Sequence, residues 1–139
     1  MFLIKITSNF DAAHFLSEYN GKCSNIHGHR WNIDVNIQSD ELKASGLTKG
    51  MVEDFTEIKK EINNIISCYD HALIVENGSL QQETIDCLIN EGFKLVFVDF
   101  RTTAENFAYC IFSSIEKSGY NVKSVTVYET PNNSATYER

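Results

Sequence analysis

Residues 3–14 alternate in character. Ile4, Ile6, Phe10 and Ala12 share one parity and His14 continues it, while Lys5, Thr7, Asn9 and Asp11 take the other. A period of two marks a strand with one buried face. After a turn-like stretch at Tyr19-Asn20-Gly21-Lys22, residues 27–38 alternate more cleanly. His27, His29, Trp31, Ile33, Val35 and Ile37 lie on one face, and Arg30, Asn32, Asp34, Asn36 and Gln38 on the other. A loop holding Gly46 and Gly50 follows, and the period then changes. Phe55, Ile58, Ile62, Ile65 and Ile66 recur at helical spacing, which predicts an amphipathic helix over 55–67. A shorter helix is expected over 84–91, closed by Gly92. Next come an apolar strand over 94–100 and a long helix opened by Thr103-Ala104-Glu105-Asn106 and ended by Gly119. A last strand spans 122–129, with Val125, Val127 and Glu129 on one face. This order predicts one α+β domain over residues 1–139, with helices laid over an antiparallel sheet.

Composition narrows the partners rather than the fold. The net charge of −7 disfavours nucleic acid, whose backbone needs a basic face. It leaves room for a small phosphorylated ligand held by a few cations. No run of apolar residues is long enough to span a membrane, so no membrane partner is expected. The N-terminal residues lack the pattern of a signal peptide. Cys23, Cys68, Cys87 and Cys110 form no C-x-x-C pair, so free thiols in a reducing, cytoplasmic setting are expected.

The candidate chemistry centres on histidine. In His27-Gly28-His29 the two imidazoles leave one face of a strand roughly 6–7 Å apart, close enough to converge on one ion. His14 ends the first strand on its apolar parity, and a hairpin would bring it beside that pair. Three imidazoles would leave a zinc ion an open position, the catalytic rather than the structural arrangement. Singly, each histidine reads better as a hydrogen-bonded core or surface residue; three on the facing parities of two adjacent strands make the stronger signal.

Four other positions carry possible chemistry. Cys23, four residues before His27, would lie near a bound dication and act as base or nucleophile; a fourth metal ligand or an inert loop thiol competes with that role. Asp70-His71 is a possible proton relay, and equally a helix C-cap. Glu129 sits on an otherwise apolar face and needs a partner. A protein group is the commoner partner, and a ligand with adjacent N–H donors, such as a 2-amino-4-oxo pyrimidine ring, is the sharper one. Thr103 and Glu105 are candidate substrate contacts within a tetrapeptide that also reads as a helix N-terminus.

Together, Phe10-Asp11-Ala12-Ala13-His14, Cys23-x-x-x-His27-Gly28-His29, Gly50-Met51-Val52-x-Asp54-Phe55, Asp70-His71, Thr103-Ala104-Glu105-Asn106 and Glu129-Thr130-Pro131 resemble the family of 6-pyruvoyl- and 6-carboxy-tetrahydropterin synthases, from about residue 4 onward. The resemblance implies the tunnelling fold, a four-stranded antiparallel sheet with two helices on one side. It also implies trimers stacked into a homo-hexamer. It implies zinc held by His14, His27 and His29, with Cys23 as catalytic base. Asp70 and His71 would relay protons across a subunit interface, and Glu129 would anchor the pterin.

The three residues between Cys23 and His27 favour the carboxy-forming enzymes of queuosine biosynthesis. These convert 7,8-dihydroneopterin triphosphate to 6-carboxy-5,6,7,8-tetrahydropterin, acetaldehyde and triphosphate. The pyruvoyl-forming branch is the nearest alternative, and a zinc hydrolase or a non-catalytic zinc- or pterin-binding module are more distant ones. The stretch 76–100 looks longer than in compact members, and Thr102 stands where the family often has proline. Lys22, Arg30, Lys49 and Arg101 are the candidate triphosphate contacts.

Overall fold

A computed structural model describes residues 1–139. Two long strands, β1 (Phe2–His14) and β2 (His27–Ser39), form the central hairpin. Each alternates along its length, so Ile6, Phe10, Trp31, Ile33 and Val35 all enter one core. Helix α1 (Phe55–Ile66) begins at Asp54, whose carboxylate accepts from the Thr56 N–H at 2.7 Å. That cap and the buried Ile58, Ile62 and Ile66 set the helix on the sheet. Strand β3 (Ala72–Glu76), helix α2 (Gln82–Asn90) and strand β4 (Leu95–Val98) form a parallel β–α–β unit. Helix α3 (Ala104–Lys117) buries Phe107, Ala108, Ile111, Phe112 and Ile115, and strands β5 (Val122–Thr130) and β6 (Asn133–Glu138) close the chain.

The sheet corrects the expected count and direction. It has six strands in the order β4-β3-β1-β2-β5-β6. It is mixed rather than antiparallel, because β3 runs parallel to both β1 and β4. Three α-helices are present, as the apolar spacing predicts, against the two that the resemblance implies. Two strands escape the periodicity reading for different reasons. Strand β3 is five residues of nearly continuous apolar character beside a helix, too short to show a period. Strand β6 is an edge strand of polar residues, and only Ala135 and Tyr137 pack against the core. The 76–100 stretch is the β–α–β crossover itself, and α2 buries no residue fully. The remaining elements fall within a residue or two of the expected bounds.

The register of the central hairpin positions the site. His14 lies opposite His27, and Ala12 opposite His29. Strand β5 pairs with β2 as far as Asn32 opposite Tyr128, so Glu129 is the next residue out, beside the histidines.

Candidate active site

The three histidines converge with Glu129. One ligand atom from each of His14, His27, His29 and Glu129 lies within 4.8 Å of all the others. His14 Nε2 is 3.1 Å from His27 Nε2, and Glu129 Oε1 is 3.0 Å from His29 Nε2 and 3.9 Å from His14 Nε2. Donors tetrahedrally placed around zinc at about 2.0–2.1 Å stand about 3.3 Å apart, so the cluster is of the right size.

Backbone carbonyls decide which nitrogens face inward. His14 Nδ1 lies 2.8 Å from the Thr102 carbonyl, and His27 Nδ1 lies 2.6 Å from the Asn25 carbonyl. A carbonyl only accepts, so both Nδ1 atoms carry the proton and donate. Both Nε2 atoms of the neutral rings then present lone pairs to each other across 3.1 Å. Like lone pairs at that distance need a cation or a proton between them. On His14 a proton is disfavoured. Burial lowers the His14 pKa to about 4, opposed by the Thr102 carbonyl and reinforced by positive charge on His27 and His29. Burial likewise lowers His29, against the pull of Glu129. His29 Nε2 is buried and lies near Glu129 without aligning as a hydrogen bond, so it has no hydrogen-bond partner. An orphaned buried nitrogen and two opposed lone pairs suit a bound divalent cation. Trp31, fully buried, closes the floor edge-on to His14 and His29, at 4.9 and 5.3 Å between ring centres.

Thr102 is a residue that sequence reading noted only as a missing proline. It is fully buried, and its carbonyl faces His14 Nδ1. Its hydroxyl, 3.2 Å from the same nitrogen, donates to the Phe15 carbonyl at 3.1 Å. No periodicity announces it; the only signal is a small polar residue adjoining the Thr-Ala-Glu-Asn helix start.

The other candidates lie around this centre. Cys23 is half-buried on a short 3-10 turn, Lys22–Ser24, between the two ligand strands. Its carbonyl accepts from the Leu16 N–H at 2.8 Å, and it is not part of the four-residue cluster. Glu129, rather than Cys23, stands beside the three histidine nitrogens. All four cysteines are free thiols.

Asp70 and His71 form a pair, with His71 Nδ1 2.9 Å from Asp70 Oδ2. Both are fastened to Asp11: the Asp11 N–H donates to Asp70 Oδ1 at 3.0 Å, and the His71 N–H donates to the Asp11 carbonyl at 2.6 Å. The Asp11 N–H, ahead of the His71 ring, lowers the Asp70 pKa. His71 has φ 56, a left-handed conformation that costs a non-glycine residue energy. Its ring is largely exposed. It lines a pocket of about 710 Å³ together with Asp11, His29, Arg30, Leu88 and Phe93. Neither Asp70 nor His71 is among the four residues whose ligand atoms converge, so the pair does not join the cluster within one chain.

Thr103 caps α3, its side chain accepting from the Asn106 N–H at 3.4 Å, and Glu105 is exposed in the first turn. Among the basic candidates, Arg30 pairs in two-pronged fashion with Asp11, and Arg101 donates to the Ser17 carbonyl at 2.7 Å. Lys22 and Lys49 are exposed.

Comparison with known proteins agrees with this architecture. A 6-carboxy-5,6,7,8-tetrahydropterin synthase from Haemophilus influenzae is 36% identical over 141 residues, covering 99% of each chain. One from Synechocystis is 32% identical over 139 residues, covering 99% of this chain and 93% of that one. The structure of Caenorhabditis elegans 6-pyruvoyl tetrahydropterin synthase superposes with a TM-score of 0.71 at 26% identity, covering 99% and 95% of the two chains. No helix is long and apolar enough to cross a membrane. The sequence pattern of the 6-pyruvoyl tetrahydropterin synthase family matches residues 3–139, ligand hairpin and Glu129 strand included, and the chain belongs to that family.

Proposed function

We propose that the chain is a zinc-dependent lyase. It takes 7,8-dihydroneopterin triphosphate, with water, to 6-carboxy-5,6,7,8-tetrahydropterin, acetaldehyde and triphosphate, a step toward queuosine. The observation that carries this reading is the convergence of three imidazoles, two of them with opposed lone pairs, beside a carboxylate suited to a pterin ring. The carboxy-forming names of the curated relatives support the choice of product.

His14, His27 and His29 would hold the zinc, and the bound ion supplies a Lewis-acid charge that makes a substrate hydroxyl easier to deprotonate. Glu129 accepts from adjacent N–H groups of the pterin and so fixes which side-chain carbon faces Cys23. Cys23 removes the proton from that carbon. Asp70 holds His71 oriented as the partner that returns a proton elsewhere. Because this pair does not join the cluster in one chain, it serves the site of a neighbouring copy. The open sheet edges at β4 and β6 suit joining of sheets into trimers, and trimers into a hexamer. Thr103 and Glu105, at the start of α3, would border the substrate. The four free thiols suit a reducing cytoplasm.

Zinc-loaded protein mixed with the substrate without oxygen, with products identified by mass spectrometry, tests the reading. A 6-carboxy product with acetaldehyde supports it. A 6-pyruvoyl product alone moves the chain to the other branch, and unchanged substrate overturns the activity.

A further inference from the structure

Cys23 lies in the loop between β1 and β2, on a turn, Lys22–Ser24, that buries no residue. A base that must meet one carbon of a substrate needs a fixed place, and a turn without a buried side chain does not fix itself. The residues around the turn supply the hold.

The loop keeps a costly shape. Glu18 has φ 55, a left-handed conformation that a non-glycine residue keeps only where its surroundings impose it. Arg101 grips both neighbours of Glu18. Its Nη2 donates to the Ser17 carbonyl at 2.7 Å, and its guanidinium carbon lies 5.9 Å from the centre of the Tyr19 ring, within reach of a cation–π contact. The same ring packs against Gly21, where a Cβ would stand 2.8 Å from Tyr19 Cε1, so only a residue without a side chain leaves the ring in place. From Gly21 the chain enters the Cys23 turn directly. The Gly21 carbonyl accepts from the Ser24 N–H at 3.1 Å and from the Ser24 hydroxyl at 2.7 Å. Arg101 is itself pinned to the start of α3, since its carbonyl accepts from the Thr103 N–H at 2.7 Å and from Asn106 Nδ2 at 2.9 Å.

We propose that Arg101 and Tyr19 are positioning residues for Cys23. The guanidinium, the ring and Gly21 form one line of contacts that ties the Cys23 turn to the start of α3. Thr102, the next residue, faces His14 with its carbonyl, so the dipeptide Arg101-Thr102 places both a metal ligand and the base. Arg101 thereby belongs to the scaffold of the site rather than to the triphosphate contacts. This inference rests on the reading of Cys23 as the base.

Zinc-loaded protein carrying Tyr19→Ala or Arg101→Met tests it. In both variants Ser17 keeps its hydroxyl bond to Glu76 at 3.0 Å, so the loop stays attached to the sheet. Two quantities are measured. One is steady-state turnover of 7,8-dihydroneopterin triphosphate. The other is alkylation of Cys23 by iodoacetamide, resolved by peptide mass spectrometry against exposed Cys87 on α2. In both variants kcat is expected to fall about tenfold or more, toward the roughly 100-fold that a misplacement of about 1 Å brings, with KM little changed. Half-buried Cys23 is expected to alkylate several-fold faster relative to Cys87, with zinc still stoichiometric. Tyr19→Phe keeps the ring and is expected to restore both quantities. A Cys23 alkylation rate that rises in neither variant overturns the hold. A higher KM at unchanged kcat in Arg101→Met overturns it too, and makes Arg101 a triphosphate contact. Absence of turnover in the unaltered protein overturns the pterin reading alone, and the alkylation ratio then decides the hold by itself.

Discussion

Replacing Thr102 with valine separates holding the fold from holding a ligand. Valine keeps the shape and the main-chain carbonyl that faces His14 Nδ1 at 2.8 Å. It removes only the hydroxyl, which donates to the Phe15 carbonyl at 3.1 Å in a position with no solvent exposure. Water cannot replace that bond without rearrangement, so a buried acceptor left unmade costs about 1–3 kcal/mol. Urea unfolding of metal-free protein reads this loss directly. The second effect concerns the metal. The hydroxyl ties residue 102 to the residue after His14, and so fixes the carbonyl that sets the tautomer of the ring. Loss of such a supporting group lowers metal affinity roughly 10–100-fold, measured by competition with a chelator of known affinity. Thr102→Ser keeps the hydroxyl and is expected to restore most of both. Destabilisation with unchanged zinc affinity would refute the positioning role, and unchanged stability would refute the buried hydrogen bond itself.

Three further outcomes are expected. Cys23→Ala retains stoichiometric zinc by elemental analysis and loses most turnover; loss of zinc would make Cys23 a ligand after all. His27→Ala loses both zinc and activity, and full zinc occupancy in that variant would remove His27 from the metal site. Metal-free protein loses stability as the pH falls from about 6.5 toward 4, because buried His14 has its pKa lowered from 6.5 to about 4, and the unfolded chain binds the proton first. Between about pH 7.5 and pH 5 this amounts to roughly 2 kcal/mol. Urea midpoints of metal-free protein that do not move over that range, or that move equally in His14→Gln, would contradict it.

Much of the site was legible because it rests on local pattern. The alternation of residues 27–38 puts His27 and His29 on one face with Trp31, and the parity of β1 puts His14 on the matching face. The helices α1 and α3 announce themselves by apolar spacing, and Thr103 by its position before Ala104. Glu129 was legible as an acidic residue on an apolar face, but its place among the histidine nitrogens was not. That place depends on where the β2–β5 pairing stops, which is a matter of register between strands some ninety residues apart. Thr102 was hidden for a similar reason, since its partners are His14 and Phe15, far away in sequence.

By itself, then, the sequence determined the faces: which residues of each strand and helix turn inward, and that three histidines share one side of a hairpin. A repeat of two or 3.6 residues is a property of the backbone and needs no distant partner. Only the tertiary structure decided the neighbours. It inserted β3 beside β1 in parallel, added β4 and β6 at the edges, and carried Glu129 and Thr102 to the histidines from opposite sides. Those arrangements depend on long-range pairing and on buried polar groups finding partners, and neither leaves a periodic trace along the chain.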